Sequence, residues 1–137
     1  MTSTSISPSL RQLVIERALG RCEYCLMHQD FSIYSHEVDH IIALKHGGQS
    51  IAENLALACL PCNRHKGSDL ATFDPISGEI VSLFHPRRQV WAENFILNNA
   101  RIEGITPQGR ATVRLLMLNA PTRLLERQVL ITQGRYP

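Results

Sequence analysis

Three features of the sequence predict an α+β fold. Two Cys-x-x-Cys motifs enclose a segment that reads as two short strands followed by a helix. An apolar-periodic helix precedes the first motif, and turn signals followed by proline-started helices occupy the chain beyond residue 70. We therefore expect the 137 residues to form a single domain, 1–137, with a core unit at residues 20–70 and a C-terminal extension at residues 71–137.

The individual elements are predicted from apolar periodicity and from the residues that flank it. Ser7 can cap the first helix, with Pro8 in its first turn and Gly20 at its end. The other predicted elements are strands over 37–44 and 55–58, a short helix after Pro61, hairpins around 74–78 and 98–99, and helices over 107–118 and 121–132. The apolar residues predicted to form core in the last two helices are Leu115, Leu116, Leu118, Leu124, Leu125, Val129 and Leu130.

The composition is that of an ordinary globular protein. Hydrophobic residues make up 44% of the chain and charged residues 19%, which argues against a disordered or collagen-like chain. No apolar run approaches the roughly 18 residues of a membrane span, and the first ten residues lack the basic start and apolar stretch of a secretory leader. We expect a cytoplasmic protein that makes no membrane contact.

The four cysteines have the spacing of a metal site. Cys22 and Cys25 form one pair, Cys59 and Cys62 the other, and 33 residues lie between the pairs. Two thiolates spaced in this way reach one tetrahedral Zn²⁺ from a tight turn, and two such turns complete a closed structural site. Disulfides or a redox pair are the alternatives, but disulfides need an oxidising compartment and a redox pair needs no second copy. The sequence therefore predicts structural zinc.

Polar residues follow a characteristic order between the cysteine pairs. Asp39-His40 lies in the first predicted strand, Asn54 directly precedes the second, and Asn63 directly follows Cys62. In order and spacing, residues 20–70 resemble the HNH endonuclease motif. The resemblance implies a zinc-clamped ββα-metal unit that hydrolyses phosphodiester bonds of nucleic acid, with double-stranded DNA as the expected substrate. It also implies that Asp39 and His40 both point towards the helix that carries Asn63.

The residue types suit this chemistry. Histidine is the side chain whose ordinary pKa lies nearest neutral pH, so His40 is the predicted general base. Asp39 and Asn63 offer a carboxylate and an amide oxygen to a catalytic ion. Many relatives have histidine in place of Asn63, and a neutral amide favours Mg²⁺ or Mn²⁺ over softer ions. The resemblance also implies that Asn54 ties the loop to the hairpin by hydrogen bonds and so orients His40.

Several cationic side chains are predicted to contact nucleic acid. Arg64 and Lys66 follow Asn63 on the short helix and could reach a phosphate. Residues 71–137 carry eight arginines and five acidic residues, and the guanidinium fork suits phosphate, so residues such as Arg114 and Arg123 are predicted docking contacts. A solvated helix surface is the alternative for these arginines.

The sequence also permits a second function, that of a non-catalytic zinc-stabilised module that binds nucleic acid or a protein. Such a module does not need Asp39, His40 and Asn63 together, whereas a nuclease fails without them. Whether the chain acts as a monomer or a homodimer stays open, as do the target sequence and the choice between DNA and RNA.

Overall fold

The secondary structure is a mixture of helices and antiparallel hairpins, which confirms the predicted α+β class. The computed structural model describes residues 5–137. The expectation of no secretory leader rests in part on residues 1–4, which lie outside the described residues. The helices and strands are α1 (Pro8–Arg17), β1 (Glu37–His40), β2 (Leu55–Ala58), α2 (Leu60–Lys66), β3 (Ala71–Phe73), β4 (Ile80–Ser82), β5 (Phe95–Asn98), β6 (Arg101–Gly104), α3 (Pro107–Leu115) and α4 (Pro121–Thr132). The strands form three separate two-stranded sheets.

Helix α1 covers one face of the β1–β2 hairpin. The Ser7 hydroxyl accepts a hydrogen bond from the Leu10 N–H at 3.2 Å, which confirms the predicted cap. Val14 is fully buried and packs with Leu55 and Leu57, the two β2 residues whose side chains point to this face. Because the other two β2 residues belong to a second buried cluster, the short hairpin is covered on both sides.

Strand β1 is shorter than predicted and ends at His40, opposite Leu55. The sequence alone suggested a strand that continues to residue 44. The strand stops because the hydrogen bonds beyond His40 no longer follow the strand ladder. The Ile41 N–H donates to the carbonyl of Asn54, and the Asn54 side chain forms hydrogen bonds with both the N–H and the carbonyl of Ile42. Residues 41–54 therefore leave the sheet as a closed loop.

One continuous core joins the cysteine-rich half to the C-terminal extension. Its buried members include Cys22, Tyr24, Ala56, Phe84, Phe95, Ile102, Leu116 and Leu118. At the turn between β3 and β4, the carboxylate of Asp74 receives two hydrogen bonds from Arg110 of α3, each 2.8 Å long. This bidentate pair holds the pKa of Asp74 well below its usual range and pins the hairpin to α3.

Helix α4 has the predicted boundaries, but the face that it buries is not the predicted apolar one. Leu125 and Val129, predicted as core, are 60% and 48% exposed, whereas Arg123 and Arg127 are buried. The prediction was wrong because it assumed that arginine stays in water. Both guanidinium groups find acceptors inside the protein, and one turn of helix places both on the same face.

Candidate metal centre and active site

The four cysteine sulfurs converge on one buried point. All four Sγ atoms lie within 4.8 Å of one another, and the Sγ atoms of Cys25 and Cys59 are 3.6 Å apart. Sulfurs that sit about 2.3 Å from one ion at the corners of a tetrahedron are about 3.8 Å apart. The cluster therefore fits a tetrahedral Zn²⁺ ion with four protein ligands.

Local backbone structure brings the two cysteine pairs together. In the first pair, Cys22 donates to the Met27 carbonyl at 2.9 Å, and the intervening chain turns through Leu26, whose φ is positive. In the second pair, Cys59 caps α2 and Cys62 lies in its first turn. Glu23 joins the pairs, since its backbone N–H donates to the Leu57 carbonyl and its carboxylate accepts from the Leu57 N–H.

Burial shapes the chemistry of the thiols. Removal from water raises the pKa of the Cys22 and Cys62 thiols, because the thiolate loses its hydration. Hydrogen bonds from the neighbouring thiols lower the pKa of Cys25. Zinc needs thiolates, so its binding to such a cluster releases protons, and the affinity falls as the pH falls.

Arg123 contacts this cluster and does not face solvent. Its Nη2 lies 2.9 Å from Cys62 Sγ and 3.7 Å from Cys59 Sγ. Burial opposes its charged form, but attraction to the sulfurs of Cys62, Cys25 and Cys59 outweighs burial and raises the pKa of Arg123. The prediction that Arg123 docks nucleic acid is wrong, because a buried guanidinium bonded to sulfur cannot meet a phosphate.

Asp39 points inward from β1 and is held by two side chains. Lys66 Nζ lies 3.2 Å from Asp39 Oδ2, and the Tyr24 hydroxyl donates to the same oxygen at 3.1 Å. Burial raises the pKa of Asp39, and the charge of Lys66 opposes that rise. The carboxylate therefore lies between the first cysteine turn and helix α2.

Lys66 is a buried structural residue in this structure. Its side chain is 3% exposed, and besides Asp39 its ammonium contacts the carbonyls of His40 and Ile41, each at 3.2 Å. The prediction that Lys66 contacts a phosphate is therefore corrected: Lys66 fastens α2 to the end of β1. The sequence carried a signal for this role, because Lys66 follows the buried Cys62 by four residues and so shares its helix face.

His40 contacts the loop rather than helix α2. Its Nε2 lies 2.9 Å from Ser50 Oγ, and the imidazole is partly exposed. The resemblance implied that Asp39 and His40 would both turn towards α2, but adjacent strand residues point to opposite sides, and these two keep that arrangement. His40 therefore lies at the junction of β1 and the loop.

Asn54 closes the loop that follows His40. Its Oδ1 accepts from the Ile42 N–H at 2.9 Å, and its Nδ2 donates to the carbonyls of Ile42 and Gln49 at 3.0 and 2.9 Å. Gly48 makes this closure possible, since a Cβ there would lie 1.7 Å from the Ile42 carbonyl oxygen. These contacts join the two ends of the loop 41–54, and the implied effect of Asn54 on His40 stays a prediction.

Asn63 faces an acidic residue that the sequence reasoning missed. The Asn63 amide donates to Glu37 Oε1 at 3.1 Å. Glu37 precedes Asp39 by two residues, so both carboxylates lie on the side of β1 that faces α2. Side chains two residues apart on a strand lie on the same face, so the sequence could have indicated that Glu37 lies beside Asp39. Arg64, next to Asn63, is exposed.

The four-cysteine cluster, β1, β2 and α2 together form a ββα unit with a buried site that could hold zinc. Residues 22–69 match the family model described as HNH endonuclease, the family that the motif predicted for this part of the chain. No curated protein matches the chain. The family points to a function connected with nucleic acid. Within residues 5–137, none of the helices is both long enough and apolar enough to cross a membrane.

Loss of one thiol is expected to abolish zinc binding. Cys62→Ser leaves three thiolates, and we expect metal analysis to fall from about one equivalent of zinc to below about 0.1, with a lower Tm. Met27→Ala is the control, because Met27 is buried beside the first cysteine pair but has no ligand atom there. Full zinc occupancy in Cys62→Ser would contradict the assignment.

Removal of the Asn54 amide is expected to loosen the loop. Asn54→Ala leaves backbone groups of Ile42 and Gln49 unpaired, and we expect the free energy of unfolding in urea to fall by about 2–4 kcal/mol. Asn98→Ala is the control, because Asn98 is exposed and donates to Glu103 at 3.2 Å; its loss should stay below about 0.5 kcal/mol. Equal losses in the two variants would refute the loop-closing role.

Proposed function

We propose that the protein is a metal-dependent endonuclease that hydrolyses phosphodiester bonds of nucleic acid, with double-stranded DNA as its substrate. The observation that carries the proposal is the HNH match over residues 22–69, the segment in which Asn54 closes the loop after His40. Four thiols in a metal site suit a reducing compartment, so we place the enzyme in the cytoplasm.

In this proposal His40 is the general base. Its partly exposed imidazole, held against Ser50, takes the proton of the attacking water. Asp39 and Asn63 would hold the catalytic ion, and Glu37, which contacts Asn63, would add a further carboxylate nearby. A bound Mg²⁺ or Mn²⁺ would stabilise the negative charge that develops on the phosphate and on the leaving oxygen. Hard oxygen ligands of this kind suit these ions better than they suit zinc.

One observation favours the second candidate function, a non-catalytic nucleic-acid-binding module. Asp39 is paired with Lys66 and hydrogen-bonded to Tyr24, so its charge is already offset without a metal ion. A module of this kind would keep the zinc cluster and the hairpin, and it would use exposed cations such as Arg64 and Arg114. The two candidates differ in whether His40 is needed for strand scission.

A plasmid-nicking assay distinguishes the two functions. We expect the zinc-loaded wild type to nick supercoiled plasmid in Mg²⁺ or Mn²⁺, and His40→Ala to lower the rate by about 100-fold or more, because the base is lost. Asn63→Ala should also be slow, and higher Mg²⁺ should partly restore it. His65→Ala is the control, since His65 is exposed two residues from Asn63.

Equal nicking by wild type and His40→Ala would count against the nuclease proposal. Binding of plasmid without nicking, in wild type and variants alike, would favour the binding module. Zinc content measured on every preparation separates either result from a failure of the fold.

The exposed arginines give a second prediction, on binding alone. Arg64→Gln is expected to weaken DNA binding and to reduce the slope of log affinity against log salt by about one phosphate contact. Arg11→Gln is the charge-matched control, because α1 packs on the Leu55 and Leu57 face of the hairpin, away from α2. Affinity and salt slope that are the same in both variants and the wild type would remove Arg64 from the interface.

A further inference from the structure

Arg123 of helix α4 lies against the cysteine cluster, although it follows Cys62 by 61 residues in the sequence. Nη2 of Arg123 lies 2.9 Å from Cys62 Sγ and 3.7 Å from Cys59 Sγ. Its Nη1 donates to the carbonyls of Leu116 and Met117 at 2.8 and 3.2 Å. The guanidinium is thus fixed at the end of α3 by one nitrogen and directed at sulfur by the other.

The charge of a filled site explains why a cation belongs there. Four thiolates outweigh the two positive charges of Zn²⁺, so the occupied cluster carries net negative charge in a region closed to water. An uncompensated buried charge is costly, and a guanidinium at hydrogen-bond distance offsets part of it. Hydrogen bonds to the ligand atoms also orient those ligands, which strengthens metal retention.

The place of Arg123 on its helix points the same way. It is the third residue of α4, in the first turn, where the helix dipole disfavours a cation. The N-terminal end of a helix carries partial positive charge, so the charge of Arg123 has to be balanced by the cysteine sulfurs nearby. Arg127, one turn further on and also buried, shows the contrast: its nearest acceptors are the backbone carbonyls of Ala100 at 2.6 Å and Leu118 at 2.7 Å.

We propose that Arg123 is a positioning residue of the metal centre, whose guanidinium donates to the thiolates of Cys62 and Cys59 and slows the loss of zinc. The C-terminal extension then contributes a residue to the metal centre through helix α4. The inference rests on the cysteine cluster and is independent of nuclease activity.

The test measures zinc release from the full-length, zinc-loaded protein to a chromophoric chelator. We expect Arg123→Gln to release zinc about 10–100-fold faster than wild type, the range found for outer-shell partners of metal ligands. Arg127→Gln is the matched control, because it removes an equally buried arginine of α4 whose nearest acceptors are not sulfur. It should lower Tm while zinc release stays within about twofold of wild type.

A spectroscopic readout separates a direct contact from general loosening. In the Co²⁺-substituted protein, loss of the donor in Arg123→Gln should shift the thiolate-to-cobalt charge-transfer band to lower energy, and Arg127→Gln should leave the band in place. If Arg123→Gln does not fold, Arg123→Lys is used, and we expect intermediate zinc release. Equal release in the Arg123 and Arg127 variants, or an unmoved band, would overturn the proposal.

Discussion

The convergence of four cysteine sulfurs on one point is the constraint on which the rest of the structure depends. The first pair follows α1, the second caps and opens α2, and both pairs contribute to the core cluster that continues into the extension. Four buried thiolates this close together would repel one another, and a divalent cation bound between them would offset that repulsion. The end of β1 and the loop after it are held in place between these two fixed points.

Buried cations are the second organising feature. Lys66 fastens α2 to Asp39 and to the backbone at the end of β1, and Arg123 fastens α4 to the sulfurs. Each has lost its hydration and replaced it with anionic or carbonyl acceptors, as a buried charge requires. These directed polar contacts join α2 and α4 to the hairpin and to the cysteine cluster in addition to the apolar core.

Features that depend on residues close together in the sequence were predicted correctly. Cysteine spacing predicted the cluster, and caps, prolines and turn residues predicted most element boundaries. Prediction from sequence failed for Lys66, Arg123, Leu125 and Val129, because the rule that charged residues face water ignores acceptors contributed by distant segments. The partner of Arg123 lies 61 residues away in the sequence, and no pattern in α4 itself reveals it. Glu37 was overlooked because the prediction took only Asp39, His40, Asn54 and Asn63 as the polar residues of the site.

The distance between Cys62 and Arg123 has a consequence for biosynthesis. A growing chain has made all four ligands once Cys62 is synthesised, but the guanidinium that offsets their charge is made 61 residues later. At about 5–20 residues per second, that interval lasts several seconds. If Arg123 has the role proposed for it, zinc bound before α4 docks would be held less tightly than zinc in the folded domain, and it would reach its final retention only once α4 has packed against the cluster.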